Sequence, residues 1–180
     1  SELCIIDDYC FTQSSIENIL IPKKVTRIGD YSFFECKMLK SVTFANESEL
    51  VSIGSYAFSQ TPIDRILIPK NVHEIGNNAF EKCIKLRKVE FEENSKLEII
   101  GERSFAESKI DSIIVPKFVC KVGKNAFFHC NNIKSIEFLA DCFCIYDSFF
   151  NECQGLLIIS FPNTKNISIC QNDFEHFDHY

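Results

Sequence analysis

The stretch from Ile75 to Phe91, IGNNAFEKCIKLRKVEF, decides the fold because close copies of it recur along the whole chain. Each copy centres on a Phe that follows an Ile-Gly-x-x-Ala core or a variant of that core. The anchors are Phe11, Phe33, Phe58, Phe80, Phe105, Phe127 and Phe150, with a weak eighth at Phe174. Their spacings are 22, 25, 22, 25, 22, 23 and 24 residues. Such periods are typical of solenoids, whose units bury their apolar faces by stacking on one another.

The repeat predicts one quasi-one-dimensional domain over residues 1–180, with about seven to eight repeats and no internal linker. Residues 171–180 are polar and acidic apart from three aromatics, and we expect an atypical last repeat with a partly ordered tail. Leu3-x-x-Ile6 already matches Leu50-x-x-Ile53. We therefore expect the numbering to start inside a repeat, in a fragment or a processed chain.

Two kinds of repeat alternate and give a larger period of 47 residues. The short kind ends in Ile-x-x-Ile-x-Ile-Pro, as in Ile63 to Pro69. The long kind carries a Cys three places after its Phe, inserts one residue, and ends in Leu-x-x-Val-x-Phe, as in Leu86 to Phe91.

The alternating end of each segment predicts a short strand with one buried face, and the common chain direction predicts parallel stacking. The Ile, Ala, Phe, Cys and Leu of each copy lie at offsets 0, 4, 5, 8 and 11, which favours a short helical turn between strands. The Gly at 29, 54, 76, 101 and 123 predicts a tight bend or a positive φ where the chain enters that turn.

These motifs resemble the BspA-like subclass of leucine-rich repeats, over Leu3 to about Phe174. The resemblance implies an α/β repeat solenoid, a right-handed horseshoe with a parallel β-sheet on the concave side and short helical turns on the convex side. Members are mostly bacterial and protist cell-surface antigens linked to adhesion and protein binding. The family motif contains no catalytic residue, so the resemblance implies none here.

The residues between the inward-facing strand positions are the candidate binding residues of this concave sheet. One outward row is Leu20, Thr43, Leu67, Glu90, Ile114, Glu137 and Ser160. The other is Asn18, Ser41, Arg65, Lys88, Ser112, Ser135 and Ile158. Seven strands about 4.8 Å apart spread these rows over roughly 30 Å, enough for a protein-sized footprint.

In the first row three aliphatic residues, Leu20, Leu67 and Ile114, alternate with polar ones, while the central strands carry a charged group, Arg65, Lys88 and Glu90. An apolar and charged strip suits protein recognition. Two alternatives stay open. Isolated exposed aliphatics are normal on protein surfaces, and a partner could bind through the edges or the convex side instead.

Charge and hydropathy exclude several partners. The net charge of −6 and the absence of a basic run argue against a nucleic-acid or anionic-membrane binder. No apolar stretch is long enough to span a bilayer, and residues 1–11 lack the pattern of a secretory signal. We expect a protein partner, no nucleic acid and no membrane insertion.

Ten cysteines would suggest a disulfide framework in a secreted chain. However, Cys36, Cys83, Cys130 and Cys153 share one repeat position, where a small apolar side chain fits under the turn. Successive members of the first three are about 10 Å apart, which is too far for a bond. Only Cys130 and Cys153, in adjacent repeats, remain a testable pair.

No pattern predicts a cofactor, a metal site or a catalytic site. Cys142-x-Cys144 is too closely spaced for a zinc knuckle, and Cys170, His176 and His179 form only a weak ligand set. His129-Cys130 is better explained as a turn residue beside a core thiol than as a base and nucleophile.

The sequence therefore predicts a non-catalytic module that binds another protein through the concave face. The alternative is a structural scaffold component built permanently into a larger intracellular assembly, and an enzyme is a distant third. Uncapped ends of the stack predict self-association or a tight partner. The resemblance suggests a cell-surface location, whereas the free core cysteines and the lack of a signal or anchor favour an intracellular one.

Overall fold

The structure is a computed structural model that describes residues 3–140, 142–146, 150–162 and 166–170, with only the backbone described for 142–146 and 166–170. All of its regular elements are short strands. They are β1 (Ile5–Ile6), β2 (Asn18–Ile21), β3 (Arg27–Ile28), β4 (Ser41–Phe44), β5 (Ser52–Ile53), β6 (Arg65–Ile68), β7 (Glu74–Ile75), β8 (Lys88–Phe91), β9 (Ile99–Ile100), β10 (Ser112–Val115), β11 (Lys121–Val122), β12 (Ser135–Phe138), β13 (Cys142–Tyr146), β14 (Ile158–Ser160) and β15 (Asn166–Cys170).

The strands form parallel ladders, as the sequence predicts. The two-residue strands make one six-stranded sheet in the order β1-β3-β5-β7-β9-β11. The longer strands make a second side, with β2 paired to β4 and a five-stranded sheet in the order β14-β12-β10-β8-β6. β13 and β15 form a further parallel pair. The result is a parallel β-solenoid of about six turns.

The repeated Phe side chains form a column through the middle of the solenoid. Neighbouring rings from Phe11 to Phe127 lie nearly parallel, with centroids 5.1 to 5.6 Å apart. From Phe33 to Phe127 these rings are fully buried. The residues before the glycines, such as Ile75 and Ile100, and the inward residues of the longer strands, such as Val89, fill the core around the column. Each such ring contact adds about 0.5–1.5 kcal/mol to the stabilisation from burial alone.

The turns that carry these Phe residues, called here the turn side, are not helical, so the prediction of short helical turns was wrong. In the first coil the N–H groups of Tyr9, Phe11 and Gln13 donate to the carbonyls of Asp30, Ser32 and Phe34 in the next coil. The intervening N–H groups donate three residues back within their own coil. A helix would use every N–H internally, whereas here every second one bonds to the neighbouring coil.

In the coils of Phe11 to Phe127, these consecutive turns place non-glycine residues in the left-handed region at two positions of each coil. In the coil of Phe80, Asn78 and Lys82 both have φ near 57°, and equivalent residues in the other coils behave in the same way. This conformation costs an ordinary side chain roughly 1–2 kcal/mol. The hydrogen bonds to the next coil hold it in place.

The glycines serve a different purpose from the one expected, because no glycine has a positive φ. They are needed where neighbouring coils approach most closely. A Cβ added to Gly101 would lie 2.5 Å from the carbonyl carbon of Gly76 and 2.6 Å from the backbone nitrogen of Asn77. The glycine column therefore brings the two-residue strands together into a continuous ladder.

Candidate functional site

The outward side chains of the four-residue strands and of β14 form one surface, called here the long-strand face. All fourteen candidate residues lie on it, in the two rows described above. Neighbouring members are in register, for example Arg65 with Lys88, Leu67 with Glu90, and Ile114 with Glu137. Four aliphatic side chains are well exposed, at 61% for Leu20, 48% for Leu67, 56% for Ile114 and 60% for Ile158. Four of the other candidate residues are only partly exposed: Ser41, Ser135, Glu137 and Ser160.

The charges at the centre of this face are largely paired within the protein. Lys88 Nζ lies 2.8 Å from Glu90 Oε1 on the same strand, and Arg65 Nε lies 3.9 Å from Asp64 Oδ2. Both pairs are exposed to solvent, so they contribute little to stability. The charged centre is therefore a set of short-range pairs that a partner would have to rearrange.

The ladder of this face is interrupted wherever a long repeat is followed by a short one. β6 with β8 and β10 with β12 each share four residue pairs in register. β8 and β10 share only Lys88 with Ser112, and β4 and β6 belong to different sheets. We call these places the first junction (β4 and β6) and the second junction (β8 and β10). They are one 47-residue period apart.

A cleft of about 630 Å³ opens at the second junction. One wall consists of β8 and the residues after it, including Glu90, Glu92 and Glu93. The other wall is largely apolar, with Ile114, Pro116, Phe118 and Leu139, and it also contains Ser112 and Lys117. The Phe118 side chain is 57% exposed.

At the first junction the equivalent positions are polar and bonded. Asn71 occupies the position of Phe118, and its Nδ2 donates to the Ser48 carbonyl at 2.9 Å. Its Oδ1 accepts a hydrogen bond from Lys96 Nζ at 3.0 Å. Glu92, which occupies the position of Leu139, accepts the backbone N–H of Lys70 at 2.9 Å. Phe118 and Leu139 have no side-chain groups that form such bonds.

The cysteines of the shared repeat position act as hydrogen-bond donors, a role that the sequence analysis did not predict; three of them are buried and Cys153 is partly exposed. The thiols of Cys36, Cys83, Cys130 and Cys153 donate to the carbonyls of Phe11, Phe58, Phe105 and Phe127 in the preceding coils. Burial raises the pKa of the Cys83 thiol to about 11 and that of the Cys130 thiol to about 12. Both are therefore poor nucleophiles at neutral pH.

Cys130 and Cys153 are both free thiols, so the testable pair is not bonded in this structure. His129 Nε2 lies 2.7 Å from Glu152 Oε2, while the Cys130 thiol bonds to a carbonyl instead. These two neighbours therefore do not form the hydrogen-bonded base and nucleophile that thiol catalysis requires.

Metal-binding clusters and membrane-spanning helices are both absent from the described part of the chain. There, no three His, Cys, Asp or Glu side chains converge in a way that would hold a metal ion, and no helix has the length and apolar character to cross a membrane. The side chains of Cys142, Cys144 and Cys170 lie outside the described residues, as do His176, His179 and the weak anchor Phe174.

Sequence analysis also missed an aromatic stack on the turn side. Tyr9, Tyr31 and Tyr56 lie nearly parallel, with centroids 5.0 and 4.6 Å apart. Phe34 packs edge-on against Tyr31 at 5.5 Å. Burial, with neighbouring Tyr56 and Tyr9, raises the pKa of Tyr31. The signal was present in the sequence, because each Tyr stands two residues before an anchor Phe.

Comparison with known proteins identifies the repeat. A family model described as "BspA type Leucine rich repeat region" matches residues 4–119 and 94–179, in six copies. No curated protein sequence is significantly similar to the chain.

Two solved structures with a similar fold come from bacteria. The pneumococcal vaccine antigen PcpA is 19% identical, with a TM-score of 0.71 over 94% of this chain and 56% of its own. The Treponema pallidum leucine-rich repeat protein TpLRR is 20% identical, with a TM-score of 0.64 over 93% of this chain and 66% of its own. The chain thus spans about half to two thirds of the length of these proteins. At these identities the likeness establishes the fold alone.

Proposed function

The chain belongs to the BspA-type leucine-rich repeat family, and from this premise we propose that it is a non-catalytic module that binds a protein partner through the long-strand face. Repeat proteins of this kind generally serve protein interaction and are generally non-enzymatic. Extended solenoid surfaces suit partners of protein size, because contacts from several coils add up along one face.

The observation that carries the proposal is the register of the exposed residues. Leu20, Leu67 and Ile114 are exposed on every second strand and are separated by polar residues on the strands between. Successive anchors are separated by one paired strand and one junction of the ladder. This spacing lets several side chains of one partner contact separate aliphatic anchors, with polar contacts around them.

Display at a cell surface is part of this proposal. The pneumococcal protein of similar fold is described as a vaccine antigen, and the intracellular location favoured by sequence analysis has no support from the comparisons.

The test is capture of partners from native material with the purified chain, followed by mass spectrometry. Reversal of two charges on the face, Arg65→Glu together with Lys88→Glu, should weaken capture by about tenfold or more, because like-charge contacts cost several kcal/mol across an interface. The matched control is Lys82→Glu together with Lys85→Glu, which reverses two exposed charges on the turn side. Unchanged capture by the face variant, or an equal loss in the control, would refute binding through this face.

A further inference from the structure

We propose that the cleft at the second junction holds an extended polypeptide segment of the partner, with an apolar side chain against Phe118 and a Lys or Arg against Glu92 and Glu93. The inference rests on the proposed function and specifies one place on the long-strand face and the chemistry that it recognises. It follows from three independent features of the cleft: its backbone edges, its apolar wall and its acidic wall.

The backbone edges favour a polypeptide over a small molecule. The register between β8 and β10 contains only Lys88 and Ser112, so the last three residues of each strand have no ladder partner across the junction. Backbone N–H and C=O groups left at such an edge need hydrogen-bond partners. An extended peptide supplies donors and acceptors at strand spacing, as in other cases where a peptide adds to a sheet edge.

The apolar wall supplies a binding surface for a large side chain. Ile114, Phe118 and Leu139 line this wall, with Phe118 more than half exposed. The cavity volume of about 630 Å³ lies within the roughly 300–1,000 Å³ typical of ligand sites. Burying an aromatic or long aliphatic side chain here contributes roughly 25 cal/mol for each Å² of apolar surface covered.

The opposite wall is acidic. Glu90 is already paired with Lys88, and Glu92 accepts a backbone hydrogen bond from Lys70, which leaves further acceptor capacity on its carboxylate. Glu93 is exposed. Since side chains alternate across an extended segment, a basic residue next to an apolar one places the charge at this wall and the apolar group at the other.

The first junction provides the matched control within the same protein. There Asn71 stands in place of Phe118 and bonds across to Ser48. Phe118→Asn therefore installs a residue that the fold already uses at the equivalent position, so the variant is expected to fold as the natural chain does. Thermal unfolding of the variant checks this directly, and its midpoint should match that of the natural chain.

The experiment measures fluorescence anisotropy with labelled, acetylated and amidated peptides. The probes alternate Lys with Phe, Glu with Phe, or Lys with Ser. The Lys–Phe peptide should bind about tenfold more tightly than the other two peptides. The Phe118→Asn variant should bind the Lys–Phe peptide about tenfold more weakly than the natural chain does. Ile84→Asn removes an exposed aliphatic side chain from the turn side and should leave the affinity unchanged.

Several results would overturn the inference. Phe118→Asn could bind the Lys–Phe peptide as tightly as the natural chain does, or the Glu–Phe peptide could bind as tightly as the Lys–Phe peptide. No peptide could bind at all, or N-acetylphenylalaninamide could compete fully, which would indicate a small aromatic ligand. If partner capture still depends on Arg65 and Lys88, only the cleft inference fails. If capture is also insensitive to these residues, the proposed function fails with it.

Discussion

The turn side and the long-strand face are built from the same repeats but differ in continuity. On the turn side, each coil bonds to the next in the same way, and the Phe rings stack without a break from Phe11 to Phe127. On the long-strand face, the ladder is interrupted at the two junctions. The difference suggests a division of roles, with stability concentrated in the turns and recognition in the strands.

The largest expected effect comes from removing one ring of the Phe column. Phe80→Ala should lower the free energy of unfolding by about 3–5 kcal/mol, because it leaves a cavity between two stacked neighbours. Leu67→Ala, on the exposed face, should change it by less than about 0.5 kcal/mol. Denaturant unfolding of both variants measures the contrast, and similar losses would refute the division of roles.

A second test separates two buried serines on the turn side. The Ser104 hydroxyl is buried without a hydrogen-bond partner, while three other coils have Ala at this position, as Ala57, Ala79 and Ala126. Ser104→Ala should therefore stabilise the chain by about 1 kcal/mol. Ser108 lies 3.3 Å from the Cys130 thiol, so Ser108→Ala should destabilise it by about 0.5 kcal/mol. The same sign in both variants would contradict the hydrogen-bond assignment.

The smallest expected effect tests the backbone of the turns. Lys82 is exposed with φ of 57°, so Lys82→Gly should raise the free energy of unfolding by up to about 1 kcal/mol through relief of left-handed strain. Lys85 is also exposed in a turn but has no positive φ, and Lys85→Gly should lower it by roughly 0.5–1 kcal/mol. Equal losses in chemical denaturation would mean that Lys82 carries no such strain.

Sequence reasoning identified the repeat, the parallel strands and the Phe anchors, because all three follow from periodicity. It mistook the turns for helices because offsets of 0, 4, 5, 8 and 11 suit a helix as well as consecutive turns. Only the hydrogen bonds between coils distinguish consecutive turns from a helix, and the sequence does not show them. Residues such as Tyr56 and Lys82 also give no local indication of a left-handed conformation. The ladder of two-residue strands was also missed, although an apolar residue precedes the Gly in most copies.

The candidate site was only partly predictable. Alternation along each strand is enough to place Leu67 and Glu90 in outward rows. The cleft was beyond reach because it depends on how Phe118 and Leu139 replace Asn71 and Glu92 one period away. In the sequence, Phe118 is an isolated aromatic residue in a turn. Its role becomes apparent only in the structure, because Phe118 and Leu139 cannot form the hydrogen bonds that Asn71 and Glu92 form at the first junction.

The stacked tyrosines give the molecule a built-in optical reporter. The chain has no Trp and five Tyr, and three of the five lie face to face in the first three coils. Electronic coupling between parallel rings at this separation should dominate the near-ultraviolet circular dichroism. Loss of that signal would reveal fraying at one end of the solenoid while far-ultraviolet spectra still reported intact strands elsewhere.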